Sequence, residues 1–223
     1  MTQVIFKFDK NKDLENTWET ANKECKFGFD FRKQLNLKLL KVCQNKSFRK
    51  CREELKQLVK PLHDSKLLSF TADMVQKAWN NIESEYFNRL EKITGKSLGI
   101  PKITAYLTTV QRCPYSVENN WYMFNAFGNI FSNLLVSGHE LMHFHFHKYY
   151  YKNVQKKIGK DKTEELKEAL SVMLNLEFRD LWVIPDTGYP NHKELRTFIE
   201  QQWTKNKDFD KLVNSCVDYL SNK

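Results

Sequence analysis

The chain has 223 residues, 41% hydrophobic and 13% aromatic, enough apolar material for a real core, which excludes a disordered polypeptide. Lys and Arg outnumber Asp and Glu by 36 to 27, a formal charge of +9. The lysines are spread along the chain without a dense block, so they read as a solvated surface and no nucleic-acid partner is expected.

No apolar run approaches about 18 uncharged residues, so no membrane span is expected. The five cysteines (Cys25, Cys43, Cys51, Cys113, Cys216) are odd in number and form no Cys-x-x-Cys pair. With a start too charged for a secretory segment, they point to free thiols and a cytoplasmic location.

In chain order, Val4 to Phe8 is a short β-like run. From Leu14 to about Lys60 the pattern is helical, with Leu35, Leu39, Val42, Leu55 and Leu58 at helical spacings. Pro61 punctuates it, and Thr71 is read as the cap of a further helix running to Ile93. Gly95 and Gly99-Ile100-Pro101 then separate this helical half from the second half of the chain. Ile103 to Val110 and Trp121 to Phe124 are rich in β-formers and read as two strands, separated by a loop containing Cys113-Pro114-Tyr115. Such a pair reads either as an ordinary core hairpin or as an exposed edge on which an extended peptide can be held.

The chemistry concentrates in His139-Glu140-Leu141-Met142-His143, inside an apolar helical stretch from about Asn129 to Tyr151. Four residues on a helix is one turn plus about 40°, so His139 and His143 share a face and two imidazoles can reach one ion. Glu140 points beside that face, where it can hold a water without being a ligand. This is the His-Glu-x-x-His pattern of zinc hydrolases. Gly138, next to the first histidine, costs a helix about 1 kcal/mol relative to Ala and implies that something approaches closely there. His145 points away from the pair, and His147 reads as a surface or supporting residue.

Catalytic zinc usually keeps three protein ligands. Phe146 and Tyr149 stand where a metzincin has Gly and His, and Cys113 lies in a poor context for a deformylase-type ligand. A Glu on the next helix fits better. Glu168 lies at the edge of a core face with Ala169 and Val172, beyond the break at Gly159, while Glu164, Glu165 and Glu177 are the alternatives.

The two histidines, followed after residues 144–167 by Glu168, resemble the gluzincin group of zinc metallopeptidases, the thermolysin type. The resemblance covers about Ile103 to Trp203. It implies an α+β, zincin-like fold, mostly helical, with a small β-sheet preceding the His-Glu-x-x-His helix. Residues 1–100 would form a mainly helical part packed on a catalytic part at 101–223, unless the two are one continuous domain. It further implies Zn2+ held by His139, His143 and Glu168, Glu140 as general base, and Tyr189 or His192 as oxyanion donor, acting on a peptide or protein substrate. Arg196 is a weaker candidate for a carboxylate contact. One departure stands out: thermolysin-type enzymes carry an Asp four residues after the ligand Glu, and here that residue is Val172. The orientation of a metal histidine must then come from Asn175 or a backbone carbonyl. Two alternatives remain. One is a narrow-specificity protease of the repressor-cleaving type, which has a His at the place of His147. The other is a non-enzymatic, basic helical binding protein.

Overall fold

The computed structural model describes residues 2–23 and 30–222. It is α+β and mostly helical, with one four-stranded sheet. The described residues form two compact units, 3–79 with 102–133, and Thr2 and 80–101 with 134–222. These cut across the boundary near residue 100 that sequence suggests. The reason is strand pairing: β1 (Gln3–Phe8) pairs in parallel with β2 (Lys102–Thr108), so both ends of the helical stretch between them are tied to one sheet.

The first unit holds α1 (Lys10–Asn22), α2 (Leu37–Cys43), α3 (Phe48–His63) and α4 (Lys66–Asn80), then β3 (Tyr115–Ser116) and β4 (Trp121–Asn125). Strand order is β1-β2-β4-β3. β4 runs parallel to β2 and β3 is antiparallel at the edge, so the two strands expected before the metal helix are not a hairpin. Residues alternate across a strand, which sends Val4 and Phe6, and Ile103, Ala105 and Leu107, to a buried face. There Phe6 meets Phe124 edge-on at 5.2 Å and lies 6.1 Å from Trp79.

Two sequence expectations fail locally. Pro61 lies inside α3, in its last turn, where the missing N–H removes only one helical bond before the helix stops. Thr71 caps nothing. It is inside α4, its hydroxyl donating to Leu67 O at 2.7 Å. Helix α4 ends at Asn80, and α5 (Glu83–Thr94) is separate, terminating at Gly95 in the left-handed conformation. The four described cysteines are free thiols, and Cys25 lies outside the described residues. Among the described residues no helix is long and apolar enough to cross a membrane.

The second unit continues, from Leu134 onward, with α6 (Ile130–Phe146), a π-helical turn (His147–Tyr151), α7 (Lys152–Ala169), α8 (Met173–Glu177), α9 (Arg179–Trp182), α10 (Lys193–Lys205) and α11 (Phe209–Ser221). Helices α7, α10 and α11 pack together, with Phe198 stacked on Tyr219 at 4.4 Å. Near the middle of α7, Gly159 (φ 77°, ψ 173°) leaves helical geometry, a conformation only glycine adopts readily. The break expected there is therefore a kink, and residues 160–169 lead directly to Glu168.

A buried polar knot fixes α1 against the end of β2. Asp13 is fully buried and accepts from Thr108 Oγ1 (2.8 Å), Thr109 N (2.7 Å) and Thr109 Oγ1 (2.6 Å), with His63 Nε2 at 2.8 Å. Asp13→Ala leaves these partners buried without their acceptor, a loss of about 3 kcal/mol. Urea unfolding followed by circular dichroism should show the midpoint fall accordingly, and an unchanged midpoint would contradict the assignment.

Candidate metal centre

Helix α6 is apolar on most sides, which buries His143 to 2% exposure and leaves His139 half-buried. The spacing predicted that the two rings share a face, and their centroids lie 4.3 Å apart. What crowds Gly138 is the neighbouring aromatic wall. A Cβ there would stand 2.7 Å from Trp182 Cη2 and 3.3 Å from Tyr86 Cε2, and Tyr86 Oη donates to the Gly138 carbonyl at 2.8 Å. Tyr86, Phe178 and Trp182 form one aromatic group behind the histidine-bearing turn.

Glu168 reaches the pair from the last turn of α7. Its Oε2 lies 3.3 Å from His139 Nε2 and 3.3 Å from His143 Nε2. Three donor atoms at about 2.0–2.1 Å from a tetrahedral ion stand about 3.3 Å apart, so these separations suit ligands of one small cation. Among the described residues His139, His143 and Glu168 form the one group of three side chains able to hold a metal. Of the alternatives, Glu164 binds Tyr151 and Lys167, and Glu177 binds Trp203 and Lys207.

Burial shapes the protonation of every member. It pushes His143 down to about 3, against the pull of Glu168, leaving a neutral imidazole. Burial also opposes a charge on His139, but Asp186 and Glu168 outweigh it and hold this imidazole well above its usual range. For Glu168 burial works upward, yet His143, His139 and Lys167 together keep it ionised. Glu140 is the contrast. Burial lifts its carboxyl to about 7, with His139 and Lys167 opposing and Glu168 adding to the rise. Its Oε2 is buried and has no hydrogen-bond partner among the described residues. A buried carboxylate oxygen without a partner, on the residue that follows one of the convergent donors, is a feature expected where a water belongs.

The group that orients His139 is one that sequence did not single out. Asp186 Oδ2 lies 3.0 Å from His139 Nδ1, which fixes the ring with Nε2 toward Glu168. Asp186 is itself firmly held. Its Oδ1 accepts from Gly188 N (2.8 Å), and Arg196 Nη2 donates to its carbonyl at 2.7 Å. Asn175 brackets the same residue, with Asp186 N donating to Asn175 Oδ1 at 2.7 Å and Asn175 Nδ2 donating to Asp186 O at 2.8 Å. Asn175 thus acts one step removed from the histidine, and the carboxylate that Arg196 meets is that of Asp186, at 3.2 Å. The one sequence signal was the Asp-x-Gly turn at Asp186-Thr187-Gly188.

Three further histidines and Tyr189 complete the set of candidates. His145 is buried, with Nε2 3.1 Å from Thr94 Oγ1 and 3.0 Å from Lys96 O, away from the pair. His147 stacks on Tyr151 at 4.3 Å within the π-helical turn. His192 is buried and Tyr189 packs edge-on to it at 5.5 Å. Burial lowers the His192 imidazole against the pull of Glu165 and Glu168.

Comparison of the chain with protein-family models, with curated proteins and with solved structures returns no match. The side chains themselves therefore carry the functional argument. Two substitutions test the geometry. Asp186→Ala should weaken binding of a divalent transition metal about 10–100-fold by titration calorimetry, and unchanged affinity would remove Asp186 from the site. Gly138→Ala should destabilise the fold by about 1–3 kcal/mol despite the helix propensity of Ala, because the ring of Trp182 must move; a raised unfolding midpoint would contradict the crowding.

Proposed function

We propose that the chain is a zinc-dependent peptidase of gluzincin-like type, built on a zincin-like arrangement of α6 and α7. The observation that carries this reading is the convergence of His139 Nε2 and His143 Nε2 on Glu168 Oε2, each at 3.3 Å, with the buried Oε2 of Glu140, the residue after the first histidine, lacking a hydrogen-bond partner among the described residues. Two imidazoles and a carboxylate suit zinc, and catalytic sites of this donor set keep one position open.

Bound zinc would lower the pKa of a coordinated water from about 15.7 to near 7 and polarise a carbonyl oxygen. The chain's own residues supply the rest. Glu140, the residue after the first histidine, would accept a proton from the attacking water and return it to the leaving amine. Asp186 holds His139 in the tautomer whose Nε2 serves as ligand. Tyr189 or His192, whose rings pack edge-on at 5.5 Å, would donate to the oxyanion that forms on the scissile carbonyl. Peptides or proteins are the substrate class, because activated water attacking a polarised carbonyl, with a carboxyl group to protonate the amine, is amide hydrolysis.

Glu140→Gln separates binding from chemistry. The variant should retain one zinc per chain by elemental analysis and lose about 10²–10⁴-fold in turnover on a denatured-protein or peptide-library substrate read by mass spectrometry. Full activity in that variant would refute the base assignment. A wild-type protein that is free of zinc after zinc loading would refute the reading as a whole.

A further inference from the structure

Lys167 is 2% exposed, a rare state for a lysine, which is almost never fully buried unless paired. Its Nζ lies 3.0 Å from Glu164 Oε2 and 3.1 Å from Glu168 Oε1. The first contact is an ordinary pair three residues apart on a helix. The second is not, because consecutive residues on a helix do not face each other. The long side chain must turn to meet its neighbour, and it meets the oxygen that the histidines leave alone. Glu164 is fixed in turn, since Tyr151 Oη donates to its Oε1 at 2.6 Å. Tyr151 closes the π-helical turn, with His147 stacked on its ring at 4.3 Å and 18°. Such turns often mark functional positions, and this one delivers Tyr151 to Glu164.

We propose that Lys167, anchored by Glu164 and Tyr151, is a positioning residue that occupies Oε1 of Glu168 and so restricts that carboxylate to one ligand atom, Oε2. A carboxylate with both oxygens available binds a cation through one or both; with Oε1 engaged by an ammonium, only the single-oxygen mode remains. The site then keeps a coordination position for water instead of filling it with a second glutamate oxygen. The placement of Glu164 on the far side of Lys167 balances the added positive charge, which would otherwise oppose a divalent cation. This inference rests on the proposed metal site.

The test uses the full chain stripped of metal and loaded with Co2+, whose visible absorption is intense when four-coordinate and weaker when five-coordinate. Lys167→Met, which keeps the stem and removes the ammonium, should still bind one cobalt. Its visible band should fall at least about twofold, and X-ray absorption of the zinc-loaded form should show an additional oxygen from a two-oxygen Glu168. A Lys167→Met spectrum and coordination number equal to wild type would overturn the proposal, since a lysine that merely staples the helix leaves both unchanged. Should Lys167→Met fail to fold, Glu164→Gln decides. It should lower the visible cobalt band in the same direction as Lys167→Met, because an ammonium without its anchor no longer holds Oε1, and a wild-type band in a variant that binds cobalt overturns the anchored clamp. Failure of the wild-type protein to bind cobalt or zinc removes the metal reading and this inference together. Bound metal without peptide hydrolysis removes only the peptidase reading, because the clamp is read spectroscopically.

Discussion

Glu168 carries a negative charge in surroundings almost closed to water, and the nearby elements are arranged to answer that charge. Burial alone would protonate it, but two imidazoles on one oxygen and an ammonium on the other keep it ionised. The same crowding has the opposite effect on Glu140, one residue beyond His139, which gains no hydrogen bond on Oε2 and drifts upward to about 7. Two carboxylates on converging helices therefore sit in different protonation regimes. The separation comes from which of them is hydrogen-bonded to the histidines, not from any difference in burial.

That convergence depends on features far less conspicuous than the motif. The aromatic group of Tyr86, Phe178 and Trp182 leaves no room for a side chain at position 138, so α6 is held at its histidine-bearing turn by rings packed against bare backbone. The break in helical geometry at Gly159 then redirects the chain so that the rest of α7 brings Glu168 to the histidines. The loop after α9 is fixed by reciprocal bonds between Asn175 and Asp186 and by Arg196, and only as a braced unit can it hold an imidazole in one orientation.

Local spacing made His139, His143 and Glu140 legible, because a helix of known pitch places them without reference to the rest of the fold. Glu168 was legible too, as a carboxylate at the edge of an apolar helical face beyond a glycine break. Asp186 was not. It comes from an irregular loop whose path is set by distant hydrogen bonds, and no periodicity reports those. Lys167 was hidden for a related reason: its contact with its own neighbour runs against helical geometry. The parallel pairing of β1 with β2 and β4 was likewise invisible, since strand composition announces strands but says little about direction. Pro61 and Thr71 misled because residues that commonly end or begin helices are also tolerated within them, in a last turn or with the hydroxyl turned back on the preceding carbonyl.

The pairing of Val4 with Ile103 and of Phe6 with Ala105 also sets a timetable for synthesis. At translation rates of about 5–20 residues per second, β1 waits roughly 5–20 s before its neighbour has been made. During that interval the faces of Val4 and Phe6 have no sheet to join, while Leu14, Val42 and Leu55 of the first three helices already have one another to pack against. Closing the sheet is therefore a long-range event, joining Val4 to Ile103 across most of the first unit, and pairings of that span are intrinsically slow to form.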